Sequence, residues 1–207
     1  NTFDFLGFTH YCTTSRKGYN YYVCAPGKYA PASPAGIHVF FHGLGGQSMA
    51  RNFDLWKPFL ASSRCIGINM EYTDGNPHKD KAGKAAAAME AVRQVMADYP
   101  VAIGRGAMTA FSAGGSPAGA WFKAKGADAT SPNPDWPFSH VNVFGAALNV
   151  GQELTRRPTS WFRAMGEGEE KMAPGLLDYM VKKTAANLAD GGCPDVTLLV
   201  TKGRGHT

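Results

Sequence analysis

The sequence predicts an α/β fold, a mostly parallel central sheet with helices on both faces, entered through an N-terminal antiparallel hairpin. Three observations carry that expectation. Beyond Pro34, strand-like and helix-like segments alternate, the mark of a sheet built from strand–helix–strand units. The segment Ile37–Phe41 is apolar but for His38, as suits a strand covered on both faces. Upstream, the two β-like runs Phe3–Cys12 and Tyr19–Cys24 are joined by the polar, glycine-containing Thr13–Gly18, which reads as a hairpin.

The elements follow in order. A proline-rich surface loop covers Pro26–Pro34, and Ile37–Phe41 then runs into His42-Gly43-Leu44-Gly45-Gly46, whose glycines permit a tight backbone path. Cys65–Tyr72 is the next strand. Lys79–Tyr99 is the clearest helix, with Ala82, Ala86, Met89, Val92 and Met96 on its inward face and Pro100 as its stop. Gly106–Phe111 reads as a parallel strand, followed at once by Ser112-Ala113-Gly114-Gly115 and a helix opening at Pro117 and ending near Gly126. Ala127–Phe138, rich in proline, is loop. Val141–Leu148 and Ser160–Met165 are strands, Gly175–Ala189 is a helix with Leu177, Met180, Val181 and Leu188 inward, and Val196–Thr201 is the last strand. One domain, residues 1–207, with no internal repeat, is expected.

Composition bounds the function classes. The chain has 207 residues, 44% of them hydrophobic, enough to fill one core. No apolar run approaches the roughly 18 residues of a membrane-spanning helix, so no membrane partner is expected. The formal charge of +5 comes from scattered Lys and Arg without a basic run or a nucleic-acid module, so no nucleic-acid partner is expected either. Four cysteines suit an oxidising compartment. Cys12 and Cys24 lie symmetrically about Gly18, where a cross-strand bridge is an open possibility; Cys65 and Cys193 each begin a strand and read as buried thiols. The sequence starts at Asn1 without Met, as a processed or trimmed form would.

The chemistry concentrates at Ala110-Phe111-Ser112-Ala113-Gly114, a small-x-Ser-x-small pattern placed between a strand and a helix. Such an elbow needs small neighbours because the serine is held on a strained turn. It makes Ser112 the candidate nucleophile and puts the Ala113 N–H at a helix start, where it can hold a developing oxyanion. The second donor is expected from the His42-Gly43-Leu44 turn, at the Leu44 N–H, with His42 bracing the loop. Of six histidines, only His206, in the glycine-rich stretch beyond the last strand, follows Ser112 at a sheet end from which it could reach the hydroxyl. The acid belongs on the loop after Ser160–Met165, which carries no Asp; Glu169 is the narrow choice and Glu170 the alternative. Trp136, amid prolines, is the candidate surface platform for substrate. No metal site is expected.

These pieces resemble the secreted polyhydroxybutyrate-depolymerase and feruloyl-esterase group of α/β-hydrolases. The likeness rests on Tyr21-Tyr22-Val23-Cys24-Ala25-Pro26, His42-Gly43-Leu44-Gly45-Gly46, Phe111-Ser112-Ala113-Gly114-Gly115 and Gly203-Arg204-Gly205-His206-Thr207. It implies an extracellular serine esterase, without metal or organic cofactor, that hydrolyses carboxylic esters on polysaccharides or polyesters (feruloyl, acetyl or hydroxyalkanoate). Separately, a monomer is expected. The sequence departs from the family in having Glu169 or Glu170 where the family places Asp, and in ending at Thr207, where the family continues with Trp-Pro. Two other readings stand beside it: an amidase or endo-hydrolase of an anionic polymer, and a hydrolase-fold binding module without activity.

Overall fold

A computed structural model describes residues 2–5, 8–27, 29–45, 49–72, 74–125, 133–145, 160–168 and 196–205, with isolated positions at 174, 175, 178 and 182. The described chain forms one nine-stranded sheet in the order β1-β2-β3-β5-β4-β6-β7-β8-β9. Its strands are β1 (Thr2–Phe5), β2 (Phe8–Thr14), β3 (Asn20–Pro26), β4 (Ala35–Phe41), β5 (Cys65–Met70), β6 (Val101–Phe111), β7 (His140–Phe144), β8 (Ser160–Gly166) and β9 (Val196–Thr201). Pairing is antiparallel from β1 through β3 to β5 and parallel from β5 to β9. The helices are α1 (Met49–Ser63), α2 (Lys81–Asp98) and α3 (Gly115–Lys125). This is the mixed sheet the sequence predicts, with one refinement: the run Phe3–Cys12 is two strands, β1 folding back on β2.

Helix α1 is not anticipated by the pattern. It carries Pro58 in its interior, which lacks an N–H and interrupts the ladder, yet it forms because its far half packs on β3 and β5 through the buried Leu60. Trp56 reaches the ring of Phe40 at 5.5 Å and that of His38 at 4.9 Å.

Helix α2 packs with a different face inward from the one its methionines suggest. The buried residues are Gly83, Lys84, Ala85, Ala87, Ala88, Ala91, Val92 and Val95, whereas Ala82 is exposed and Met89 and Met96 are only half-buried at the margin of the core. The alanine stripe wins because small side chains let α2 approach α3 and the sheet closely. An inward-facing methionine would hold the helix off.

Trp136 is also placed differently from expectation: it is 1% exposed and serves no surface platform. The Asn133 side chain accepts N–H bonds from Asp135 at 2.9 Å and Trp136 at 3.1 Å, closing a turn that swings the indole inward. There it meets Trp121, Phe122 and Phe138 at ring separations of 6.2, 4.7 and 5.1 Å, and Phe122 stacks on Trp161 at 5.3 Å. Truncating such a buried indole typically costs about 3–5 kcal/mol. The proline-rich stretch therefore supplies core.

The cross-strand bridge between Cys12 and Cys24 is not formed. The β2–β3 register sets Cys12 opposite Tyr22 and Cys24 opposite His10, so the two are diagonal neighbours, and diagonal positions lie about 7–8 Å apart, beyond disulfide reach. Cys12 is an exposed free thiol. Cys65 is a buried thiol, as its strand position predicts. Cys193 and the predicted helix Gly175–Ala189 lie outside the described residues, apart from single positions in the helix. No described helix is long and apolar enough to cross a membrane.

The order β5-β4-β6 means that the chain leaves β4 to one side and returns on the other. In open α/β sheets such a reversal opens a crevice at the carboxyl ends of the two strands. The fold thus points to the carboxyl ends of β4 and β6.

Candidate active site

Strand β6 ends at Phe111, which is still extended at φ −116° and ψ 131°, and the next residue, Ser112, turns to φ +51°. A non-glycine residue in this left-handed region carries strain of about 1–2 kcal/mol and needs its surroundings to hold it there. The surroundings do so at close range. Ser112–Gly114 form a single 3-10 turn that leads directly into α3. A Cβ on Gly114 would fall 2.2 Å from the Phe41 carbonyl oxygen and 2.6 Å from that of His42, so only glycine lets the elbow seat on the end of β4. Ala113, next to the serine, is buried.

The turn after β4 forms the facing wall. A Cβ on Gly43 would lie 2.9 Å from Ser112 Cβ and 3.3 Å from Ser112 Oγ, so the bare face of this glycine abuts the serine side chain. Leu44 follows at once, its side chain 61% exposed. The sequence-predicted elbow and the sequence-predicted donor turn are therefore neighbours in space. His42 is buried, lies 4.3 Å from the Tyr72 ring, and donates from Nδ1 to the Gly43 carbonyl at 2.7 Å. Burial holds its pKa below the ordinary histidine range, against the opposing hydrogen bond to Gly43, so the ring braces the turn as a neutral group.

On the other face of β4, His38 bonds Thr109 Oγ1 at 2.8 Å, and burial pushes its pKa down to about 4. A ring so hard to protonate, enclosed by Trp56 and Phe59, is a core histidine. His140, at the start of β7, is exposed and shares a hydrogen bond of 2.8 Å with the Ser139 hydroxyl.

At the far side of the parallel sheet, the loops leaving β8 and β9 are tied together at their carboxyl ends. The Glu167 N–H donates to the Thr201 carbonyl at 3.0 Å, the Gly168 N–H to the Arg204 carbonyl at 2.8 Å, and the Gly203 N–H to the Glu167 carboxylate at 3.0 Å. A Cβ on Gly166 would sit 1.9 Å from the Gly205 carbonyl oxygen. The next residues along these two loops are Glu169 and His206; they and Glu170 lie outside the described residues. What the described residues establish is that both loops leave the carboxyl end of the parallel sheet, the end at which Ser112 sits, side by side.

Sequence reasoning missed the loop Asp74–Asp80, which backs the Gly43–Gly45 turn, and the buried lysine beneath it. The Gly45 N–H donates to the Gly75 carbonyl at 3.3 Å, and His78 Nδ1 lies 2.6 Å from the hydroxyl of Ser116, in the first turn of α3. The available signal was Lys84 standing alone in Gly83-Lys84-Ala85-Ala86-Ala87-Ala88. Among the described residues, no group of three or more His, Cys, Asp or Glu side chains is arranged to hold a metal ion.

No family model matches the chain, and no curated protein sequence matches it. Solved structures do. Native esterase 2 of Thermogutta terrifontis superposes with a TM-score of 0.65 at 18% identity, over 97% of this chain and 83% of that one. The dienelactone hydrolase-like promiscuous phosphotriesterase P91, from metagenomic libraries, gives 0.66 at 15% identity over 97% and 84%. A candidate dipeptidyl aminopeptidase IV from Bacteroides ovatus gives 0.68 at 12% identity over 97% of this chain, which spans only 33% of that protein. The shared architecture is the α/β-hydrolase fold.

Proposed function

We propose that the protein is a serine carboxylic-ester hydrolase. The single observation that carries the reading is Ser112 held at φ +51° at the carboxyl end of a central strand, with Gly43 against its side chain. A fold has little reason to keep a strained serine at a topological crevice unless its hydroxyl is used. Esterase 2 of Thermogutta terrifontis, which shares the fold, occurs in a form phosphorylated by paraoxon. That supports probing this chain with an organophosphorus reagent.

In the proposed reaction, His206 accepts the proton of Ser112 Oγ as the oxygen attacks the ester carbonyl carbon. The resulting tetrahedral oxyanion is held by the N–H groups of Ala113 and Leu44. The His206 imidazolium then gives its proton to the departing alcohol, leaving an acyl-serine. Water, deprotonated by His206, attacks the acyl carbon, and the returning proton regenerates the Ser112 hydroxyl as the acid leaves. Glu169, with Glu170 as its alternative, fixes the imidazole tautomer. The cross-tied loops supply the supporting geometry, since His206 follows Gly205 directly and Glu169 follows Gly168, which is bonded to Arg204.

The finer reading is an extracellular enzyme acting on polysaccharide-linked or polymeric esters. It rests on the sequence resemblance, above all on Gly203-Arg204-Gly205-His206-Thr207. A panel of acetyl, feruloyl and hydroxybutyrate esters, with a p-nitroanilide as the amide control, sorts the acyl class. Ser112→Ala should abolish p-nitrophenyl acetate turnover and fluorophosphonate labelling; full turnover in that variant would remove the serine from the mechanism.

A further inference from the structure

Lys84 is fully buried on the inward face of α2, at 0% exposure. Its ammonium group donates to the Asp74 carboxylate at 3.1 Å, to the Asn76 carbonyl at 2.9 Å and to the Lys79 carbonyl. It also sits 5.3 Å from the Tyr19 ring centroid and 5.5 Å from that of Tyr72. Burying an amino group costs several kcal/mol unless its protons are satisfied, and here three oxygens and two aromatic faces meet it. Replacing it with an apolar residue would suit an alanine-lined helix at least as well, so stability alone does not account for it.

What the ammonium holds is the backbone from Asp74 to Asp80. This stretch contains no strand, and two of the lysine's three oxygen partners are main-chain carbonyls within it. The second Asp74 oxygen accepts the Asn76 N–H at 3.1 Å, so one carboxylate joins the lysine to the bend. Burial would raise the Asp74 pKa, but the Asn76 N–H and Lys84 outweigh it and keep the carboxyl below its ordinary range. From the bend, the Gly75 carbonyl accepts the Gly45 N–H, while the Gly75 N–H donates to the Tyr72 carbonyl at 2.8 Å. Tyr72 in turn lies against His42. Both routes end on residues 42–45, the turn whose Gly43 touches Ser112. On the opposite side, His78 ties the same loop to Ser116, four residues beyond the nucleophile.

We propose that Lys84 is a positioning residue: from inside the core it sets the 74–80 loop, and through Gly75 and Tyr72 that loop sets the turn that offers the oxyanion donor at Leu44. The proposal rests on the reading of Ser112 as nucleophile. Lys84 touches neither substrate nor serine; its contribution is the placement of an N–H at the moment charge develops on the carbonyl oxygen.

The test uses the full chain and two variants, Lys84→Met and the milder Asp74→Asn, whose side chain is 28% exposed and whose replacement keeps its shape. Measured are kcat and KM for p-nitrophenyl acetate per site titrated by a fluorophosphonate, and the Ki of a trifluoromethyl ketone, which forms a tetrahedral oxyanion on the serine. Loss of a whole oxyanion donor costs about 10²–10³ in kcat, so a displaced donor should cost less: about 3–10-fold in Asp74→Asn and about 30–100-fold in Lys84→Met. Ki should rise by the same factor as kcat falls, with KM unchanged. Activity that falls only in step with titratable sites, or kcat that falls while Ki stays put, overturns the proposal; Asp74→Asn decides if Lys84→Met does not fold. A wild type that neither hydrolyses the ester nor reacts with the phosphonate overturns the reading of Ser112, whereas an active wild type matched by an equally active Asp74→Asn overturns only the role of Lys84.

Discussion

At the carboxyl ends of β4 and β6, Ser112 is fixed by backbone against backbone: Gly114 seats on the carbonyls of Phe41 and His42, and Gly43 abuts the serine. At the β8–β9 end, two loops separated by more than thirty residues in sequence are joined by hydrogen bonds, one of them from an N–H to the exposed carboxylate of Glu167. The first region tolerates no added atom. The second depends on polar contacts open to water, each worth about 1 kcal/mol. The serine elbow is therefore positioned rigidly and the paired β8–β9 loops adjustably, so substitutions at the two ends should fail in different ways.

The sharpest break is Gly114→Ala. Its new Cβ meets two carbonyl oxygens well inside contact distance and neither can yield without moving β4, so both fold and activity should collapse. A soluble, fully active Gly114→Ala protein, judged by thermal melting and ester turnover, would show that the elbow is not seated as described. Glu167→Gln should be milder. It replaces a charged acceptor of the Gly203 N–H with a neutral one, and kcat should fall about 3–10-fold with little change in melting temperature. If Glu167→Gln is instead as inactive as Ser112→Ala, the triad acid is Glu167 rather than Glu169 or Glu170. The smallest effect is a reversed sign. Glycine is ordinarily less stabilising than alanine, but at φ +51° the Ser112→Gly variant should exceed Ser112→Ala by about 0.5–1 kcal/mol in urea denaturation. The usual order of the two would mean that position 112 is unstrained.

What could be read from the sequence divides along the same line. The elbow and the Gly43 turn were legible because their constraints are local: small residues at fixed offsets between a strand and a helix. The last strand, Val196–Thr201, was legible from its apolar run. The inward face of α2 was not, because hydrophobicity points to Met89 and Met96 whereas close approach to α3 selects alanine, a demand made by the partner helix. Trp136 was misplaced for a similar reason, since the Asn133 turn that inverts it acts through side-chain hydrogen bonds that composition does not show. The acid stayed open between two neighbouring glutamates because its identity depends on how the β8 loop meets the β9 loop, a contact between distant parts of the chain.

The left-handed turn at position 112 also filters which atoms can ever serve there. A threonine carries the same hydroxyl, but its branched Cβ is poorly tolerated at positive φ. The bend would therefore admit a side chain unbranched at Cβ, such as serine, cysteine or aspartate, while shutting out the residue that chemically resembles serine most.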